Sequence, residues 1–182
     1  MASKIMIIRH AEKAINNDQT GVNINGHKDD ESLIPQGWQR AGALASFFDP
    51  SRPWPIPGIV CPASLFAADP GKHDQHSERP EETITPLALK LNLTINTQFK
   101  KDDFASMVSA AQACSGVVLI AWQHQDIPSI GNLLMGNNTT VPQTWPGNRY
   151  DIVWVFDNDG AGGYTFSQVP QELLAGDLPS VI

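Results

Sequence analysis

Cysteine is scarce in this 182-residue sequence: Cys61 and Cys114 are its only two, and no CxxC or similar spacing accompanies them. That excludes the usual zinc and dithiol redox motifs and leaves both as small buried hydrophobes, with reduced thiols that suit a cytoplasm. Long apolar runs are missing as well. No stretch approaches the ~18 apolar residues of a membrane span, and Met1-Ala2-Ser3-Lys4 leads into an apolar run too short for a secretory signal. A cytoplasmic location is the default expectation. Positive charge is in deficit, with 12 Lys and Arg against 19 Asp and Glu for a net charge of -7. Broad binding to nucleic acid or to an anionic membrane surface is therefore not expected, whereas a small anion needs only a local cluster of donors. Internal repeats, heptads and low-complexity tracts are absent too.

What is present has the profile of a folded domain, with 41% hydrophobic and 17% charged residues. One domain over residues 1–182 is expected, large enough to bury roughly 70% of its unfolded surface. Ile5-Met6-Ile7-Ile8 is short, continuous and mostly β-branched, as a strand covered on both faces of a parallel sheet must be, and it runs into Arg9-His10. Val117-Val118-Leu119-Ile120-Ala121-Trp122 is a second such run, followed closely by His124. Between them the period becomes helical: Ala41, Leu44, Ala45 and Phe48 after Pro35-Gln36-Gly37, then Ile84, Leu87, Ala88 and Leu91, then Phe104, Met107, Val108 and Ala111. Pro86 makes the start of the second helix ambiguous, because proline is tolerated mainly in a first turn. A fourth helix is expected over 127–134. Ile152 to Phe156 reads as a late strand with a hairpin partner at Tyr164-Thr165-Phe166, and 49–58 and 69–80 read as loops. Alternation of strands and helices predicts a three-layer α/β/α sandwich around a mostly parallel sheet.

Open α/β sheets bind ligands outside the carboxyl ends of their strands, where His10 and His124 fall. Arg9 adds a fixed cation, and Arg79, ahead of a predicted helix in Ser77-Glu78-Arg79-Pro80-Glu81-Glu82-Thr83, can join helix N–H groups on an anion. Each feature alone reads as a solvated or packed residue. Together, two arginines and two histidines are what phosphoryl transfer through a phosphohistidine demands: one neutral imidazole attacks, and the other three groups hold the equatorial oxygens. No cofactor and no metal are called for.

The sequence at this point resembles the histidine phosphatase superfamily, also called phosphoglycerate mutase-like. The resemblance rests on Ile7-Ile8-Arg9-His10-Ala11-Glu12-Lys13, on Leu33-Ile34-Pro35-Gln36-Gly37-Trp38-Gln39-Arg40-Ala41, on Ser77 to Thr83, and on the strand before His124. It covers residues 5 to about 135. It implies that His10 is the nucleophile, that Arg9 and Arg79 bind phosphate, that His124 is the second histidine and that Asn16 contacts phosphate. Gly37 and Arg40 match scaffold positions.

Such a phosphatase also needs an acid for the leaving oxygen. Asp126, two residues past His124, resembles the acid phosphatase arrangement with one residue interposed and is the expected acid; Asp102, Asp103 and Glu12 stand as alternatives, Glu12 better suited to orienting its neighbours. The segment 69–76 looks inserted, with Lys72 adding positive potential above the pocket; His73 and His76 in it read as exposed residues and not as metal ligands. Trp145 and Trp154 read as packing, and Arg149 as the ion-pair partner of Asp151. The expected partner is a small phosphorylated substrate, hydrolysed as a phosphomonoester. A phosphate-binding protein with little turnover and a protein phosphohistidine phosphatase are the alternatives. The motifs contact only phosphate and specify neither the organic part of the substrate nor an oligomeric state.

Overall fold

The computed structural model describes residues 1–16, 18–51, 56–71 and 77–182. Its elements, in chain order, are β1 (Lys4–Arg9), α1 (Pro35–Phe48), β2 (Ser64–Ala67), α2 (Arg79–Leu91), β3 (Ile95–Asn96), α3 (Phe104–Ala113), β4 (Val117–Trp122), α4 (Ile127–Met135), β5 (Ile152–Asn158) and β6 (Tyr164–Pro170). The strands form one sheet in the order β3-β2-β4-β1-β5-β6. β3, β2, β4 and β1 run parallel, and the β5–β6 hairpin closes the other edge antiparallel. This is the mostly parallel sheet anticipated from the sequence.

Side-chain alternation along the strands builds the two outer layers. Ile5, Ile7, Val118, Ile120 and Trp122 face Met107 and Val108 of α3 and Ile127 and Ile130 of α4. Met6, Ile8, Leu119 and Ala121 face Leu44 and Phe48 of α1 and Ile84 and Leu87 of α2. Both faces of β1 and β4 are therefore covered, which explains why these strands are apolar without interruption. Trp145 and Trp154 pack on the first face with ring centroids 5.3 Å apart.

Three local expectations are corrected. Helix α1 begins at Pro35 itself and not after Gly37, because proline in the first helical position gives up an N–H that has no intrahelical partner anyway. Helix α2 runs through Pro86 from Arg79 to a left-handed Asn92. Its start is fixed upstream by Pro80 and by acidic residues in the first turn, and the Thr85 hydroxyl donates to the Glu81 carbonyl at 2.8 Å just before the proline. Cys61 is exposed and Cys114 only half-buried, so neither is a core residue. Part of the expected loop 49–58, and Lys72, His73 and His76 of the expected insertion, lie outside the described residues. Among the described residues no helix is long and apolar enough to cross a membrane.

Candidate active site

Strand β1 ends at Arg9, and the ladder continues one step beyond it through the His10 N–H donating to the Trp122 carbonyl at 2.9 Å. His10 is buried, and its Nδ1 lies 2.8 Å from the Ala11 carbonyl. A carbonyl only accepts, so Nδ1 carries the proton and the Nε2 lone pair is left free. Burial first, then the charges of Arg9, Arg79 and Lys13, push the His10 imidazole down to about 3. His10 is thus neutral at physiological pH, the form in which an imidazole is a nucleophile.

The next residue ties this segment to α2. The Ala11 N–H donates to the Thr83 hydroxyl at 2.8 Å, and that hydroxyl donates to the Arg79 carbonyl at 2.6 Å. Thr83 thereby fixes the distance between the His10 and Arg79 segments. The Arg79 guanidinium donates to Ser77 Oγ at 3.3 Å and to the Asp30 carbonyl at 2.5 Å, and it lies 3.3 Å from the Glu31 carboxylate. Arg9 is buried under the loop before β5. It donates to the carbonyls of Gly147 at 2.7 Å and Arg149 at 3.0 Å, and its guanidinium stacks 3.7 Å above the Tyr150 ring.

His10, Arg79 and His124 line one pocket of about 270 Å³ together with Lys13, Lys101 and Gln123. Its electrostatics favour an anion. Burial, Arg79 and Arg9 lower Lys13, with Glu31 opposing; burial, Arg9 and Lys13 hold His124 down to about 4. Arg9 Nε, Arg79 Nε and His124 Nδ1 are buried with no hydrogen-bond partner among the described residues. Buried polar groups are normally satisfied, so two guanidiniums and an imidazole that each keep an unpartnered nitrogen form a cluster suited to an anion.

Three expected site residues do not line this pocket. Arg9 is buried beside it, near enough to lower both His10 and His124, with its Nη1 turned to the loop before β5. Asn16 is exposed in a separate surface hollow with Lys28 and Asp30, its side-chain oxygen accepting from the Asp18 N–H at 3.2 Å. Asp126 stands at the start of α4, where its carboxylate accepts from the Gln123 amide, so it orients a lining residue without lining the pocket itself. Of the alternative acids, Asp102 and Asp103 are exposed ahead of α3. Glu12 is buried against Arg40, which donates to it at 2.7 and 2.9 Å and to Asp177 at 2.7 Å. Arg40 and Glu12 are thus scaffold, and Arg149 pairs with Asp151 at 2.7 Å. The lining residues that sequence reasoning missed include Lys13, Lys101, Gln123 and Glu31, while Asp69 opens the segment expected above the pocket. Only Lys13, inside the Arg9-to-Lys13 run, carried a usable signal. No group of three or more His, Cys, Asp or Glu able to hold a metal ion occurs among the described residues.

No protein-family model matches the sequence, and no curated protein matches it. Solved structures do match in fold. The protein histidine phosphatase SixA complexed with tungstate aligns with a TM-score of 0.57 at 15% identity, covering 92% of this chain and 97% of that one. The mycobacterial glucosyl-3-phosphoglycerate phosphatase with inorganic phosphate gives 0.53 at 11%, covering 91% and 95%. A phosphoserine phosphatase mutant from Entamoeba histolytica in complex with phosphoserine gives 0.51 at 10%, covering 92% and 95%. With these likenesses running over more than nine-tenths of its length, the chain has the histidine phosphatase, phosphoglycerate mutase-like fold.

Proposed function

We propose that this protein is a phosphatase that hydrolyses phosphomonoesters through a phosphohistidine on His10. The observation that carries this reading is a buried, neutral imidazole pinned through Nδ1 at a strand end, in a pocket shared with Arg79 and His124, where Arg79 Nε and His124 Nδ1 have no hydrogen-bond partner among the described residues. Arg9, Arg79 and His124 are the phosphate-binding groups, and Lys13 adds charge beside them. In the first step His10 Nε2 attacks phosphorus, the ester P–O bond breaks, and the alcohol departs with a proton. In the second, water attacks phosphorus, the P–N bond breaks, and inorganic phosphate leaves with His10 restored. The guanidiniums stabilise charge on the equatorial oxygens in both steps, positioned in advance so that little reorganisation is required. Phosphatases share this fold, one of them a protein histidine phosphatase, which supports the class of reaction.

The test is hydrolysis of phenyl phosphate in the presence of a chelator. Wild-type protein turns over, and His10→Ala loses activity by at least ~10³-fold. Full activity in that variant, or complete inhibition by the chelator, contradicts the proposal.

A further inference from the structure

Two carboxylates line the phosphate pocket, and their surroundings differ. Glu31 is close to half exposed and sits 3.3 Å from the Arg79 guanidinium, as a counter-ion that an incoming phosphate displaces. Asp69 is held at a strand end instead. Its N–H donates to the Phe99 carbonyl at 2.8 Å, and its Oδ1 accepts the Gly71 N–H at 2.9 Å, while Oδ2 makes no hydrogen bond among the described residues.

The sheet register sets Asp69 opposite the nucleophile. Ala67 of β2 pairs with Ala121 of β4, and Ala121 pairs with Ile8 of β1. Two residues further along each chain, Asp69, Gln123 and His10 fall at one level across three neighbouring strand ends, and all three line the pocket. Adjacent strands are spaced ~4.8 Å apart, so the Asp69 and His10 backbones are separated by roughly 10 Å. That leaves room for one phosphoryl group between an imidazole and a carboxyl, and in-line displacement places nucleophile and leaving oxygen on opposite sides of phosphorus. The chemistry of this side also suits a proton. Asp69 belongs to an acidic group with Glu78 and Glu81, in which burial and then the charges of Glu78 and Asp69 hold the Glu81 carboxyl above its usual range. A bound phosphate adds further negative charge beside these carboxyls.

We propose that Asp69 is the catalytic acid that protonates the leaving oxygen, an assignment that rests on the phosphohistidine reading above. As the ester P–O bond breaks, the Asp69 proton passes to the departing oxygen and the alcohol leaves neutral. The resulting carboxylate then takes a proton from the water that attacks phosphorus, which returns Asp69 to its starting state as the P–N bond breaks.

The test compares kcat/KM for phenyl phosphate and 2,4-dinitrophenyl phosphate, whose phenolate leaves without protonation. Asp69→Asn keeps a side-chain oxygen for the Gly71 N–H. It is expected to lower kcat/KM on the order of 10²-fold for phenyl phosphate and less than ~10-fold for the dinitrophenyl ester, with Asp69→Glu recovering part of the loss. Equal losses on both esters in the Asn and Glu variants overturn the assignment, as does an undiminished phenyl phosphate rate in Asp69→Asn. So does a leaving-group-selective loss appearing in Glu31→Gln instead. His10→Ala separates the two levels: it abolishes both esters if the phosphohistidine reading holds, and activity in that variant removes that reading whatever Asp69 does.

Discussion

His10 shows how one residue acquires reactivity from position alone. Its ordinary imidazole would be partly protonated near neutrality, but burial and neighbouring cations hold it at about 3 and His124 at about 4. In the free protein, the proton NMR signals of two of the five histidines are therefore expected to stay at their neutral positions from pH 8 down to pH 5; titration of all five near pH 6.5 would contradict this. A stability consequence follows with a definite sign. Between the unfolded value near 6.5 and the folded value near 3, the unfolded chain binds a proton at His10 that the folded chain does not, so stability falls as pH falls through that window. His10→Asn removes this contribution, and its denaturation midpoint should decline less between pH 6.5 and pH 4 than that of the wild type. At the same scale, sequence order misled twice. Asp126 follows His124 by two residues, but the chain turns into α4 between them and spends its carboxylate on Gln123. Asn16 follows His10 by six, in a loop whose local turn directs it elsewhere.

At the scale of elements, legibility followed length and periodicity. β1 and β4 were readable because a strand covered on both faces is a continuous apolar run, and the four helices because their buried faces recur at helical spacing. β2 has four residues and β3 two, too few for any period to register. Without β2 its register is invisible, and so is the position of Asp69 level with His10. The glycine in Pro35-Gln36-Gly37 has a role that the sequence hinted at only as a turn. A Cβ on Gly37 would lie 2.5 Å from the Glu12 carbonyl oxygen, so α1 docks its first turn directly on the backbone that follows His10. Gly37→Ala should cost about 1–3 kcal/mol in chemical denaturation and depress phosphatase activity beyond what the folded fraction accounts for. An unchanged midpoint would mean that α1 does not make this close approach.

At the scale of the molecule, the C-terminal segment is part of the site's support. Burial disfavours charge on both Arg40 and Asp177, yet their mutual hydrogen bonds outweigh it, holding Arg40 above and Asp177 below the usual ranges. Asp177 also accepts the Leu173 and Leu174 N–H groups. Arg149 donates to the Ser180 carbonyl and Asp151 accepts the Leu178 N–H, while the Arg149 carbonyl holds Arg9. The tail is thus connected, through Glu12 and Arg9, to the residues on either side of His10. None of this was legible beforehand, because the partners are more than a hundred residues apart or joined through backbone N–H and carbonyl groups. Asp177→Ala leaves a buried guanidinium short of acceptors and should cost about 2–4 kcal/mol, read as a lower denaturation midpoint. A neutral result would make the tail ornamental to the fold.

The proposed mechanism requires that His10 become phosphorylated during turnover. The direct measurement is rapid acid-free quenching of the protein during turnover of 2,4-dinitrophenyl phosphate, followed by mass spectrometry of the peptide spanning residues 5–13. An acid-labile, base-stable phosphoryl group is expected on His10 and is absent from His10→Ala. A turnover-competent protein with no phosphoryl group on His10, or with one on a different residue, would contradict it.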